Sequence, residues 1–284
     1  MKTECSQLAF DFQPLGARQV VADFEGGTIT SDAGGLLLRE VESRTELLAK
    51  LARCFDDYRD VELIEHSVTD LIKQRVFALA LGYEDLNDHD QLRADPLLAT
   101  LVGKRDVTGA ERLDRRDQGK PLAGKSTLNR LELTPARASI KSRYKKIVAR
   151  QSAIAGWFVD AFLQLNPQPP EEIVLDLDAT DDPLHGEQAG RFFHGYYKSY
   201  CYLPLYIFCG EHLLLAKLRP SNIDLPTSLR QSAPLAPACP CLTNQVVAKL
   251  NSMLNPRAPA PRRPRKNQPA SCFVPQKTCL ASRG

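Results

Sequence analysis

The chain has 284 residues, of which 43% are hydrophobic and 25% are charged, and its formal net charge is +3. No stretch approaches the ~20 apolar residues of a membrane-spanning helix, and the N-terminus lacks the apolar segment of a signal peptide. Eight cysteines without regular spacing predict reduced thiols, not a disulfide framework. We therefore expect a globular, cytoplasmic protein with one sizeable core and a second, smaller one.

The charges are divided unevenly along the chain. No Asp or Glu occurs after Asp224, whereas nine Lys and Arg do, which leaves 28 of the 37 basic residues against all 34 acidic ones in residues 1–224. The same tail holds the Pro-rich and Arg-rich stretch 259–266, which cannot build a packed core. Residues 225–284 are therefore predicted to be a disordered basic tail.

Residues 1–166 are predicted to be mainly helical. Ser43–Glu46 and Ser67–Asp70 each have the pattern of a capping box, in which a hydroxyl and a carboxylate bind the free amides at a helix start. An apolar stripe follows each of them. The other expected elements are an arm or edge strand over 1–30, a helix over 91–102 with Pro96 near its first turn, a loop over 103–125 and a helix over 126–132.

The longest helix is expected to begin at Thr134-Pro135, because Thr is a good N-cap and Pro suits the first helical position. Its apolar residues, from Ile140 to Leu165, fall on one face. Residues 133–159 contain six bases and no acid. Such a run of bases most commonly forms a solvated face. The more specific, functional explanation is contact with DNA phosphates. The candidate DNA-binding residues are Lys141, Arg143, Lys145, Lys146 and Arg150.

Residues 172–182 carry the sequence pattern that most clearly indicates a functional site. Three branched apolar residues, 173–175, run into carboxylates at alternate positions, Asp176 and Asp178. This pattern predicts a buried strand that ends in acids. Alternate residues of a strand project from one face. One of these carboxylates can therefore bind a hard cation through oxygen while the other supports the binding carboxylate. A solvated strand end is the alternative reading of Asp-x-Asp alone.

Two β-rich runs, 200–208 and 212–218, come next. Gly210-Glu211 between them favours a tight hairpin, and Pro204 inside the first run indicates a bulge or an edge position. The tyrosines of this region are interpreted as sheet packing in preference to base stacking. These tyrosines are Tyr196, Tyr197, Tyr200, Tyr202 and Tyr206.

Two families share features with this region. Asp176–Thr180 is similar to the first motif of haloacid-dehalogenase-type phosphatases, but that family also needs a later acidic pair that holds magnesium, and no acid follows Asp224. The longer stretch 176–188, with 190–197 and 200–206 after it, resembles the DDE-domain group 1 transposases of bacterial insertion sequences. Residues 30–57 and 126–132 resemble the N-terminal half of the same family.

The transposase resemblance implies an α+β protein with a helical DNA-binding region at 1–166 and the start of an RNase H-like DDE catalytic domain at 171–224, before the tail at 225–284. Of the catalytic core, only the first strand and the hairpin are expected. In the intact family three carboxylates hold two divalent metals, Mg²⁺ or Mn²⁺, which activate water or a 3′-hydroxyl for attack on a phosphodiester. The implied partner is DNA with terminal inverted repeats, and a homo-oligomer is compatible with this role.

The resemblance implies that Asp178 is the first catalytic Asp and a metal ligand, with Asp176 as the second choice. The other two carboxylates should lie on a later strand and a C-terminal helix, yet only 46 residues separate Asp178 from Asp224, the last acid. We therefore expect an incomplete triad and no DNA cleavage by this chain alone. The hypothesis is a truncated or frame-shifted transposase, with the native reading ending near 224–230, or a DNA-binding fragment that competes with the intact enzyme.

Overall fold

A computed structural model of the chain describes residues 9–24, 29–167, 173–188 and 190–222. The fold is α+β, as predicted, with short helices and small antiparallel sheets. None of the helices in these ranges has the length and apolar character that crossing a membrane requires. The predicted disordered tail lies outside the described residues.

The helices are α1 (Gly35–Thr45), α2 (Leu47–Ala52), α3 (Val68–Ala80), α4 (His89–Leu92), α5 (Pro96–Val102), α6 (Lys125–Glu132) and α7 (Gln151–Leu165). The strands are β1 (Ala9–Leu15), β2 (Arg18–Asp23), β3 (Phe55–Asp57), β4 (Ile147–Ala149), β5 (Asp176–Ala179), β6 (Asp182–Pro183), β7 (Phe192–His194), β8 (Ser199–Tyr202), β9 (Leu205–Cys209) and β10 (His212–Lys217). The sheets have the orders β1-β2, β3-β4, β10-β9-β5 and β6-β8-β7.

The N-terminal arm is a two-stranded hairpin, β1–β2, that packs on the helices. Phe12 pairs with Val20, and both side chains contact the core around α1 and α5. The guanidinium of Arg39 on α1 donates to the carbonyls of Gln13 and Pro14, the latter at 3.1 Å. The alternating apolar residues and this arginine therefore hold the hairpin against α1.

Two cores fill the helical part, and α3 contributes to both. Phe77 on one side of α3 packs with residues of α1 and α5, whereas Leu71 and Ile72 on the other side pack with α2, α6 and β4. Leu71 and Leu128 are completely buried in the second of these cores. A third core, described below, joins α7 to the sheet β10-β9-β5.

The capping box at the start of α3 is confirmed. The Ser67 hydroxyl accepts a hydrogen bond from the Asp70 amide at 3.0 Å, and the Asp70 carboxylate accepts one from the Ser67 amide at 3.1 Å. Pro96 occupies the first turn of α5 as predicted, but the segment 91–102 contains two helices because Asp95 caps a new start by accepting from the Leu97 amide at 2.7 Å.

The prediction of a capping box at Ser43–Glu46 is wrong. Ser43 lies inside α1, where its hydroxyl donates to the Glu40 carbonyl at 2.7 Å. The break comes at Glu46, whose φ of 53° ends α1 and begins α2. The carboxylate of Glu42, not that of Glu46, accepts from the first amides of α2, at 2.8 Å from Leu48 and 3.1 Å from Ala49.

The predicted long helix from Thr134 is wrong. The Thr134 hydroxyl donates back to the Arg130 carbonyl at the end of α6, residues 135–146 form turns and coil, and only α7 is helical. Ile147 and Val148 are buried in strand β4, which pairs with β3 through Phe55 and Ala149. Burial of these β-branched side chains against a strand more than 90 residues earlier outweighs the helical periodicity.

The sheet β10-β9-β5 contains the predicted hairpin. The prediction of a buried strand over 173–175 that ends in acids is wrong: pairing with β9 begins at Asp176, so both acids lie within β5, whose residues alternate between exposed and half-buried. Gly210, with φ of 57°, begins the tight turn between β9 and β10, as expected. The first β-rich run is split at Leu203-Pro204, so that β8 belongs to a different sheet from β9. Since Pro cannot donate to a ladder, the split at Pro204 has a direct cause. Within the described residues, β5 has a partner strand on one side only.

One row of side chains, aligned across the three strands of this sheet, lies in the third core. Leu177, Ile207 and Leu215 face one another across the three strands, and Ile207 and Leu215 are at most 1% exposed. Val159 and Phe162 of α7 pack on them. Helix α7 also contacts α2, because Trp157 Nε1 donates to the Leu47 carbonyl at 3.0 Å. The division of the chain near residues 166–171 stays a prediction, and residues 168–172 lie outside the described ranges.

Candidate functional site

The two candidate catalytic carboxylates lie on the face of β5 that is turned away from the core. Leu175 and Leu177 pack against the third core, whereas Asp176 and Asp178 are exposed. The prediction that both aspartates share one face is therefore confirmed. Asp178 lies opposite Tyr206 of β9, one residue before the strand ends.

Asp178 is held by its neighbour in the sequence. The Thr180 hydroxyl donates to both carboxylate oxygens, at 3.1 and 3.2 Å. The carboxylate also adds to a negative field at this end of the strand: burial, then Asp181, and more weakly Asp178, raise the pKa of the Tyr197 hydroxyl. The arrangement presents an exposed, oriented carboxylate beside a second acidic residue.

The described residues do not complete a metal site of the kind that the intact family uses. Nowhere in the ranges 9–24, 29–167, 173–188 and 190–222 do three Asp, Glu, His or Cys side chains come together in a way that could hold a metal ion. Asp176 and Asp178, two residues apart on one face of β5, supply two carboxylates at most. The donors fall short of a triad of carboxylates.

Four of the five candidate DNA-binding bases lie on one surface segment. We call residues 134–146 the basic connection; it links α6 to β4 through turns and coil. Lys141, Arg143 and Lys145 are exposed, and Lys146 is half-buried. None of the four forms an ion pair with a described residue. Their charges are therefore open to an external anion.

An exposed tyrosine lies within the basic connection. Tyr144 is 58% exposed, and the guanidinium carbons of Arg143 and Arg130 lie 4.9 and 5.8 Å from its ring centroid. Such contacts between a guanidinium and a ring face are attractive and keep the charge oriented at the surface. Arg130 lies on α6, before the acid-free run of bases that begins at residue 133. It is therefore not among the candidate DNA-binding residues that the sequence indicates.

Arg150 has a different environment from the other four bases. It precedes α7, forms an ion pair with Asp56, and donates to the Arg53 carbonyl. Together with Lys50 and Trp157 it lines an open cavity of about 430 Å³ between α2 and α7. The predicted set of five bases is thus divided by β4 into a group of four and a separate, paired arginine.

The comparison with known families decides between the two enzyme classes that the sequence suggests. Residues 12–246 match the family model described as transposase DDE domain group 1. The chain belongs to this transposase family. The match covers more than four-fifths of the chain, including Asp178, the hairpin β9–β10 and the basic connection, and supports a transposase in preference to a phosphatase. Neither a curated protein nor a solved structure matches the chain.

The transposase also contains a buried arginine that no sequence motif singles out. Arg219 is 5% exposed, and its Nε donates to the Leu203 carbonyl at 3.1 Å. Neither terminal nitrogen of its guanidinium has a hydrogen-bond partner among the described residues, and burial lowers its pKa. Because Lys217, Leu205 and Ala179 are aligned across the sheet, Arg219 lies just beyond the sheet end at which Asp178 is found.

Proposed function

We propose that this transposase binds the ends of an insertion sequence through the basic connection and that the chain does not cleave DNA by itself. The family match is the observation that carries the proposal, because membership of a transposase family implies transposon DNA as the substrate. Asp178 would supply one carboxylate of the family's metal-dependent phosphodiester chemistry. The helical region 1–166 would bind DNA, and residues 171–224 would form the beginning of the catalytic domain, in a cytoplasmic protein that can pair with a second copy.

The charge distribution supports DNA contact by the basic connection. Residues 133–159 contain no acid, and Lys141, Arg143 and Lys145 are exposed in turns and without acidic partners among the described residues. Each base that neutralises a phosphate releases counterions, so binding should weaken steeply with salt. In this proposal the bases would reach the DNA from a turn-rich loop and not from the helix that the sequence predicts there.

The distribution of acids supports the absence of cleavage. Residues 225–284 contain no Asp or Glu, and the described residues assemble no third ligand near Asp178. Alone, the chain would occupy transposon ends and compete with a complete transposase, which is the alternative function that this observation favours.

A salt titration of DNA binding tests the proposal. The variant Lys141→Glu/Arg143→Glu is compared with Arg18→Glu/Arg105→Glu, which changes the net charge equally at exposed bases outside the basic connection. We expect the first variant to bind a terminal-repeat duplex at least tenfold more weakly, with a slope of log affinity against log salt that is smaller by about 2. Equal affinities and slopes for the two variants would show that the basic connection is only a solvated surface.

A further inference from the structure

We propose that the aromatic hairpin, residues 191–202 with strands β7 and β8, stacks unpaired DNA bases beside Asp178. This inference rests on the proposed function, because its ligand is the DNA on which the transposase acts. The sequence favours packing within a sheet for the tyrosines of this region. That interpretation is wrong for Tyr196, which lies in the turn and is 82% exposed; Tyr200 packs across the β7–β8 ladder but is still 48% exposed. The Tyr196 ring, and the part of the Tyr200 ring that Arg191 and Phe193 leave uncovered, are accessible to a ligand.

The exposed rings form an ordered surface. Phe193 lies directly opposite Tyr200 in the β7–β8 ladder, so both side chains share one face of the hairpin. Their ring centroids are 5.5 Å apart at an interplanar angle of 73°, and the Arg191 guanidinium carbon lies 4.7 Å from the Tyr200 centroid. Phe193 is itself 58% exposed. A cluster of exposed aromatic rings of this kind marks an interaction site more often than a plain surface.

The hairpin lies next to the candidate catalytic strand. It is inserted between β5 and β9, and Asp182 of β6, which follows β5 closely, pairs with Tyr202 of β8. Tyr197, in the turn of the hairpin, is within the electrostatic field of Asp181 and Asp178. A DNA strand that places a phosphate near Asp178 would therefore pass along the hairpin.

The chemistry of the hairpin favours unpaired bases over a duplex. Its basic residues, Arg191 and Lys198, are offset by nearby acids, since Arg191 already forms an ion pair with Glu187 and Asp181 and Asp182 precede the hairpin. Attraction for phosphates is thus weaker here than at the basic connection. Ring faces bind the faces of bases, which are covered by stacking within a duplex and free in a single strand or a frayed end.

The test measures binding of the full chain to three DNAs by fluorescence anisotropy. They are a single-stranded oligonucleotide, the blunt duplex of the same sequence, and that duplex with an unpaired end. The variant Phe193→Leu/Tyr200→Leu keeps apolar side chains but removes both rings. Phe24→Leu is the matched control, because Phe24 is 83% exposed on a different hairpin and also contacts a second ring. Melting temperatures verify that each variant is folded.

We expect the wild-type chain to bind the blunt duplex and to prefer the same duplex with an unpaired end. The ring-deletion variant should lose roughly tenfold in affinity for the single strand and the unpaired end, and less than about twofold for the blunt duplex, whereas the control loses neither. If the ring-deletion variant binds all three DNAs as the wild type does, the inference fails while the proposed function stands.

Two further outcomes would also overturn the inference. In the first, analytical ultracentrifugation shows that the wild type is a dimer and the ring-deletion variant a monomer, while both bind the single strand with the same affinity. The rings would then contact a second copy of the chain. In the second, the wild-type chain binds none of the three DNAs, and the proposed function fails together with the inference. Loss of duplex binding on charge reversal in the basic connection concerns the proposed function alone.

Discussion

Arg150 and Asp56 form an ion pair between the start of α7 and strand β3, with 3.3 Å between Nε and Oδ1. The Arg150 amide also donates to the Cys54 carbonyl at 2.9 Å. Both side chains are about half exposed, so the pair contributes at most about 1 kcal/mol to stability. Its main consequence is that Arg150 is positioned apart from the basic connection, although the two are adjacent in sequence.

The first prediction separates Arg150 from the exposed bases. Replacing Arg143 with Gln should weaken binding to a terminal-repeat duplex about fivefold and reduce the salt slope by about 1, because one phosphate contact is lost. Replacing Arg150 with Gln should change the affinity less than twofold, since that guanidinium is already paired. An Arg150 variant that loses as much affinity and slope as the Arg143 variant would return Arg150 to the DNA-binding set.

The second prediction concerns the buried side chain of Gln74, which holds the end of the loop 103–125. Its Nε2 donates to the Ala123 carbonyl at 2.7 Å, and its Oε1 accepts from the Ala123 amide at 3.0 Å. Gln74→Leu leaves both backbone groups buried without partners and should lower the free energy of unfolding in urea by about 3 kcal/mol. The control Gln19→Leu, at an exposed side chain, should change it by less than about 0.5 kcal/mol. Similar values for the two variants would contradict this account.

The third prediction concerns the buried histidine at the start of α3. His66 Nε2 lies 2.9 Å from a terminal nitrogen of Arg112, which can only donate, so the imidazole is neutral and accepts. Burial, together with Lys104 and Arg112, lowers the pKa of His66 from 6.5 to about 3. Since the unfolded chain binds this proton below pH 6.5 and the folded chain does not, stability falls as the pH falls from 6.5 toward 3.

Unfolding in urea at a series of pH values measures this effect. The wild type should lose about 2 kcal/mol more than His66→Gln between pH 6.5 and 4.5, at a little over 1 kcal/mol per pH unit. His89, whose pKa burial also lowers, to about 4, titrates in both proteins and so serves as an internal reference. Parallel pH profiles for the two proteins would contradict the assignment of a neutral, buried His66.

The fourth prediction concerns the buried guanidinium of Arg219. Because its terminal nitrogens have no partner among the described residues, Arg219→Met removes a costly buried charge and should destabilise the fold by less than about 1 kcal/mol. Arg112→Met is the comparison, since Arg112 forms an ion pair with Glu65 at 2.8 Å and should cost about 3 kcal/mol. Equal losses would contradict the view that Arg219 is an uncompensated buried charge.

The sequence predicts those features that depend on local spacing. The capping box of Ser67 and Asp70 involves neighbours in the chain, and the shared face of Asp176 and Asp178 follows from the period of a strand. The tight turn at Gly210 is likewise determined by the local sequence Gly210-Glu211. These predictions need no knowledge of the rest of the fold.

The features that the sequence does not predict depend on distant partners. Ile147 continues a helical pattern, but it lies in a strand because β3 supplies a ladder and because its side chain is buried in the core that contains Leu71 and Leu128. The exposure of Tyr196 and Tyr200 depends on where the aromatic hairpin lies relative to the rest of the chain. Local patterns cannot distinguish a buried ring from an exposed one, so the stacking surface becomes visible only in the structure.

The most direct test of the account is a strand-cleavage assay with the purified chain. The substrate is a plasmid carrying the terminal inverted repeats identified in the DNA that flanks the coding sequence, with Mg²⁺ or Mn²⁺ present. We expect DNA binding without nicking, because the part of the chain that the structure describes brings no set of carboxylates around Asp178 of the kind that a two-metal site requires. Reproducible nicking at the repeats by the wild-type chain, abolished in Asp178→Asn, would contradict the central claim.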